Sequence, residues 1–334
     1  MTEPMPPGAK RDLHRLLCDV ARGMDPAEAW HEDATAWACH PWGDLDAAGL
    51  ARLWAELRAA LPDMERRDLI LVGGENVEDP RVPGPRAPHL VAALGHYQGT
   101  FAAPLLGIPP TGAPVMLRFG EAHWLDGARI RRSWITLDLL DLMRQAGVWP
   151  LPRSLGAEGM WPGPATQDGL RLGPPEPSDA LRIVFEMHDA LNSFDGQDIE
   201  SMRHAHCWTP DFMYYPGAGI GACRGMEQFR AFHQIPFIRA FPDRRGAGHY
   251  VRVADGPYAV TGGTVRGTHG GAYLGMTPTG RRIDVRVMDF YRLDADGLIA
   301  ENWLPIDMLG IAAQMGNDLL ERVAHYAGRP RRTL

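Results

Sequence analysis

Only four cysteines occur in the 334 residues, Cys18, Cys39, Cys207 and Cys223, and no two of them form a CxxC pair. Their scarcity argues against a disulfide framework and a strong zinc motif and fits a reducing, cytoplasmic setting. No stretch approaches the roughly 18 apolar residues of a membrane span. Met1 to Lys10 holds three prolines and no apolar run, so a frayed leader is expected there and not a signal. Basic charge is thin as well. The formal net charge is −7 and the pI lies near 6.0, which argues against a nucleic-acid surface or an anionic-membrane surface. The local run Arg329 to Arg332 is expected as a solvated tail. Neither GxGxxG, P-loop, GxSxG nor HExxH occurs in a usable context, so no nucleotide, nicotinamide or other cofactor is expected.

What is present is an ordinary globular composition, 45% hydrophobic and 22% charged, in a chain long enough for two domains. An internal repeat supports that division. Gly99 to Glu121 aligns without a gap on Gly267 to Asp289, with eight of 23 pairs identical; composition alone would give roughly one or two. After one inserted residue, Ile130 to Gly147 continues over Ile299 to Gly316, and Ile130, Trp134, Asp138, Leu140, Gln145 and Gly147 all recur. Upstream, Ala60 to Asp63 corresponds to Ala240 to Asp243. The chain is therefore a duplication. We divide it into 11–149, a Pro/Gly-rich linker over 150–177, and 178–320.

Each copy runs helices first and strands after. In the second, helical spacing covers Asp179 to Phe194, a short segment Ile199 to Thr209, and Met226 to Ala240, whose stripe holds Phe229, Phe232, His233, Pro236 and Phe237. Strands are expected at Gly248 to Ala254, Tyr258 to His269, Arg282 to Leu293 and Leu298 to Pro305. The predicted fold is α+β: two cones, each with helices packed on a curved antiparallel sheet.

Strand parity singles out one residue type. Val285, Val287, Asp289, Tyr291 and Leu293 share one face, as do Leu117, Phe119, Glu121, His123 and Leu125 in the first copy. Asp289 and its counterpart Glu121 thus sit on apolar faces. A carboxylate there is costly unless paired, and desolvation raises its pKa toward the range where it can move protons. The competing explanation is a structural ion pair, for example to an arginine. His233 is the histidine best placed to face a pocket. His204, His206 and Cys207 form a metal-like cluster, but i,i+2 spacing on a helix points ligands apart, so no metal is expected.

The order of Gly-Met-Glu-Gln-Phe-Arg-Ala-Phe at 225–232, Phe241-Pro242-Asp243, Thr279-Gly280, Asp296-Gly297, Glu301-Asn302-Trp303 with Asp307 four residues on, and Gln314 before Gly316 resembles the SnoaL-like polyketide cyclases of the nuclear transport factor 2-like superfamily. The resemblance covers nearly all of 179–318 and, more faintly, 12–149. It implies a cone with a deep pocket between helices and sheet, and it implies Asp307 as the acid/base, with Asp138 at the matching place in the first copy. An N-cap for the closing helix is the alternative for Asp307. The family commonly has histidine where this chain has Asp289.

The second copy is expected to be the active one, with Asp307, Asp289 and His233 catalytic and Tyr214, Tyr215, His269 and Trp303 contacting substrate. The first, with Phe101 in place of His269, is expected as a divergent scaffold. The function expected is cofactor-free proton transfer on a small carbonyl compound by aldol-type cyclisation, retro-aldol cleavage or isomerisation. The alternatives are a hydrolase or hydratase using the same carboxylates, and a non-catalytic small-molecule binder. Ion-paired carboxylates would favour the binder, unpaired ones an enzyme. Expected partners are a small molecule and neither nucleic acid nor membrane, the copies forming an internal pseudo-dimer, with a further homo-oligomer left open.

Overall fold

The computed structural model describes residues 5–83 and 87–328. The run Arg329 to Arg332 and the first four residues of the expected leader lie outside them. The first half begins with α1 (Ala9–Arg22), α2 (Pro26–Ala29), β1 (Trp30–Ala38), β2 (Gly43–Leu45) and α3 (Ala47–Ala60). It continues with β3 (Glu65–Glu75), β4 (His89–Thr100), β5 (Pro114–Asp126), β6 (Arg129–Leu137) and α4 (Leu139–Gln145). The second half opens with α5 (Ala180–Asn192) and two 3₁₀ turns, Ile199–Met202 and His204–Cys207, followed by β7 (Trp208–Pro216), β8 (Cys223–Arg224) and α6 (Gly225–Phe229). A π turn, Arg230–Gln234, joins α6 to α7 (Ile235–Ala240). After it come β9 (Arg245–Asp255), β10 (Tyr258–Thr268), β11 (Arg282–Leu293), β12 (Ile299–Leu304), α8 (Met308–Gln314) and α9 (Leu319–Tyr326).

Each half builds a six-stranded sheet, in the orders β2-β1-β6-β5-β4-β3 and β8-β7-β12-β11-β10-β9. The two orders are the same order, so the repeat seen in the residues is a repeat of topology. One junction per sheet differs from the expected antiparallel pairing: β1 runs parallel to β6, and β7 parallel to β12. The long path through α3, or through α6 and α7, separates these partners in the chain and supplies the crossover that a parallel pair needs. Equivalent turns are also closed by equivalent bonds. Asp63 accepts from Thr100 N at 2.6 Å and Thr100 Oγ1 at 2.7 Å, and Asp243 accepts from Thr268 N and Oγ1 at the same two distances.

Strand alternation turns one face of each sheet toward its own helices and the other toward the opposite half. On those outer faces Trp134 stacks on Tyr250 with ring centres 5.1 Å apart, and Arg286 lies over Trp37 at 4.3 Å. Gly120 packs against Pro305 so closely that an added Cβ would stand 2.3 Å from the proline ring, which is why a strand position there carries glycine. Polar contacts join the halves as well. Lys10 pairs with Asp255, both buried, and Asn76 Oδ1 accepts from Arg252 N at 2.8 Å. The stretch 150–177 has only isolated bridges, Leu71 with Leu170 and Ala157 with Ala222, but it bonds to both sheets. Leu71 N donates to Gly169 O at 2.8 Å, and Trp303 Nε1 donates to Pro162 O at 2.9 Å.

Candidate active site

A cavity of about 450 Å³ opens in the second half between α5, the α6–α7 run and the inner face of β11 and β12. That size holds a small to medium organic molecule. Val285, Val287, Asp289 and Tyr291 enter it from β11, and Asn302 and Leu304 from β12, each at every second position. The helices contribute Phe185, His188, Phe229, His233 and Phe237, and β7 contributes Tyr214.

Asp289 is the chemical centre of this wall. Its Oδ1 accepts from Asn302 Nδ2 at 3.2 Å, and Tyr291 also bonds to it. Among the described residues it forms no salt bridge. Burial dominates and pushes its carboxyl up to about 7, against the pull of those two hydrogen bonds. The Tyr214 hydroxyl is buried with no partner, and burial together with the nearby Asp289 holds it well above the ordinary phenol range. His233 packs its ring between Tyr214, at 5.1 Å, and Phe237, at 5.8 Å, and its Nδ1 is unpartnered. Burial, helped by Arg244, lowers His233 to about 4, so it is neutral at pH 7. His188 and His249 stack at 5.0 Å with planes 2° apart, and burial brings them to about 3 and about 4. His188 Nε2 lies 3.3 Å from the Tyr291 hydroxyl.

The first half uses the matching position differently. Glu121 accepts from Arg66 Nη1 at 2.6 Å and from the Tyr97 hydroxyl at 2.5 Å, and His123 Nε2 stands 3.3 Å away. Burial alone would raise its carboxyl, but Arg66 and these partners take it down to about 2. Trp30, Trp54, Tyr97 and Phe119 fill the space around it. The two matched carboxylates on apolar strand faces therefore diverge: Asp289 meets a cavity, whereas Glu121 meets a packed ion-pair network.

Asp289, His233 and Tyr214 line one cavity, but the other candidates lie elsewhere. Asp307 does not reach the cavity. Its Oδ1 caps α8 through Gly310 N at 2.9 Å, and its Oδ2 accepts His40 N of the first half at 3.1 Å. Asp138 does the same for α4 and takes Ala218 N at 2.9 Å. Capping, the alternative drawn from the sequence, describes both. Burial still raises Asp307 and takes Asp138 to about 6, the latter against the pull of Arg118. Tyr215 and Trp303 stack on each other at 5.4 Å, and parity puts both on the sheet's opposite face. His269 is buried in the β10–β11 connection, where its Nδ1 lies 3.1 Å from Thr279 Oγ1.

Several polar cavity residues were not singled out from the sequence. Tyr291 and Asn302 carried a signal in strand parity. Arg244 follows the repeated Pro-Asp turn (Phe241-Pro242-Asp243), where the first copy has Met64 after Leu61-Pro62-Asp63. Arg81 gave none, because it comes from the first half. Outside the cavity, two mixed triplets cluster among the described residues, His14 with Cys18 and Asp68, and Glu186 with His206 and Cys207. His204 turns away from the latter toward Gln234, at 2.9 Å.

Residues 185–315 match the family model of the SnoaL-like polyketide cyclases, so the resemblance seen in the motifs holds for the second half. No curated protein matches the chain. Among solved structures, TsrD from Streptomyces laurentii is 28% identical over 42% of this chain and 98% of its own, with a TM-score of 0.34. IdmH from Streptomyces antibioticus is 25% identical over 42% and 99%, with a TM-score of 0.35. A nuclear transport factor 2-like protein from Burkholderia pseudomallei is 18% identical over 42% and 98%, with a TM-score of 0.33.

Proposed function

We propose that the second-half cavity is the active site of an acid/base enzyme that moves a proton next to a carbonyl group of a small molecule. The observation that carries this reading is Asp289, a half-buried carboxyl with no ion-pair partner among the described residues, poised at about 7 on the wall of a 450 Å³ cavity. A base with that pKa is half ionised at neutral pH while still holding a proton firmly once it takes one. In the ionised form Asp289 removes the α-proton, the C–H electron pair becomes a C=C bond, and the C=O π pair moves onto the oxygen to give an enolate. The unpartnered Tyr214 hydroxyl is available to donate to that oxygen, and Asn302 holds the carboxylate in place. Returning the proton at another carbon completes an isomerisation. Attack of the enolate carbon on a second carbonyl, with the proton passing to the new alkoxide, completes an aldol cyclisation. The match of 185–315 to the SnoaL-like polyketide cyclases supports the same chemistry.

The test uses 2-tetralone in deuterated buffer, with α-hydrogen exchange followed by NMR. Wild-type protein is expected to exceed the buffer rate, and Asp289→Asn to lose about 10²–10⁴-fold. Exchange at the buffer rate with wild type, or unchanged exchange in Asp289→Asn, overturns the proposal.

A further inference from the structure

We infer that this cavity selects a substrate that carries a carboxylate, held by Arg244 at a distance from the reacting carbon; this rests on the cavity being the active site. The inference starts from charge. The whole chain is acidic, yet the cavity wall holds four arginines, Arg81, Arg244, Arg245 and Arg252, against the two aspartates Asp79 and Asp189 and the proton-sharing Asp289. Asp79 is committed. It accepts from Arg81 at 2.8 Å and Arg252 at 2.7 Å, and its carboxyl is held below the usual range. Arg244 is different. Among the described residues it has no carboxylate partner; its Nη2 meets the Met202 thioether at 3.2 Å, a weak acceptor, and its guanidinium lies over the Phe194 ring at 5.8 Å.

The guanidinium is only partly buried, yet burial lowers its pKa with no opposing charge, and an anion or strong acceptor would offset that cost. The neighbouring histidines add no competing charge, since His233 and His204 are both brought to about 4 by burial. The comparison between copies points the same way. The turn Phe241-Pro242-Asp243 that presents Arg244 is braced to Thr268 as Leu61-Pro62-Asp63 is to Thr100, but the next residue of the first copy is the buried Met64. An arginine therefore occurs in the copy with the open cavity, and an apolar side chain in the copy whose interior is filled.

Geometry sets the reach. β9 begins at Arg245, and its Gly246 pairs with Val265, which in turn pairs with Val285. Asp289 lies four residues further along β11, about 13 Å at strand rise. The planar fork of arginine suits a carboxylate in two-point contact.

The experiment compares 2-naphthoate with methyl 2-naphthoate, two probes of nearly equal shape that differ in charge, by titration calorimetry on the full chain. Wild type is expected to bind the acid at least about 10-fold tighter than the ester, as for a charge-assisted contact. Arg244→Gln should abolish that preference while leaving ester binding unchanged, and Arg244→Lys should keep part of it; circular dichroism confirms that each variant is folded. Equal binding of acid and ester by wild type, no binding of either, or a preference that survives in folded Arg244→Gln overturns the inference. Proton exchange with 2-tetralone, a neutral probe, reports on Asp289 independently. In wild type, absence of the acid preference with exchange intact refutes the carboxylate site alone, and absent exchange with the preference present refutes the reaction alone.

Discussion

Asp307 of the second half and His40 of the first are joined by a hydrogen bond, His40 N to Asp307 Oδ2 at 3.1 Å, and the bond has a twin in Ala218 N to Asp138 Oδ2 at 2.9 Å. Both amides lie two residues beyond the end of an equivalent strand, β1 or β7. Each aspartate caps its own closing helix with one oxygen and holds the opposite half with the other. The duplicated motif is thus a clasp.

Removing the clasp should cost stability and spare chemistry. Asp307→Ala is expected to lower unfolding free energy by about 1–2 kcal/mol, the usual loss for a helix cap, with turnover per folded molecule unchanged. Asp307→Asn, which still caps, should lose less. Denaturant titration paired with the exchange assay checks both. A loss of 100-fold in exchange with unaltered stability would instead restore Asp307 as the base.

Glu121→Gln should behave as the breaking of a buried ion pair. The guanidinium of Arg66 would keep Asp68, at 2.7 Å, but lose its contact with Glu121. A loss on the order of 3 kcal/mol is expected from such a deletion. Because the folded carboxyl titrates at about 2, below its unfolded value, its stabilisation is fully present above about pH 4.5 and fades as pH falls toward 2. Wild type and variant should therefore converge in melting temperature in acid. A constant gap between them across pH 2 to 7 would count against the pairing.

The duplication and the strand faces were legible because they depend on local periodicity and on residue identity at fixed offsets. Val285, Val287, Asp289 and Tyr291 alternate in any strand, whatever surrounds it. The same parity places Tyr215 and Trp303 on the outer face, away from the cavity that Tyr214 and Asn302 enter. Asp307 was ambiguous for a physical reason: a cap and a catalytic base are the same side chain after a strand, and the choice between them depends on His40, far away in the chain. Arg66 beside Glu121 and Arg81 at the cavity wall depend on tertiary contacts as well, and no spacing encodes those. Trp30 and Trp54 of the first half fill their interior, and only packing tells whether such residues line a space or fill it.

Asp289→Asn should abolish exchange activity and, at neutral pH, make the protein more stable. The sign follows from where the proton is held. In the folded chain the carboxyl titrates at about 7, whereas an unfolded aspartate does so near 4, so between those values the folded state binds more protons than the unfolded one. Stability contributed by this group is therefore intact below about pH 4, declines as pH rises to 7, and stays low above it, a penalty of a few kcal/mol at most. Asparagine cannot ionise and escapes the penalty. Denaturant midpoints of wild type and Asp289→Asn should differ little at pH 4 and separate by pH 8, with the variant higher. Wild-type exchange should in turn rise with pH and level off above about 7, because the ionised carboxylate is the base. The decline in stability should end at the pH where the exchange rate is half-maximal, about 7, since the same folded-state proton governs both. A stability gap that is flat with pH, or an exchange rate that falls through 7, would mean that Asp289 is not the group that titrates there.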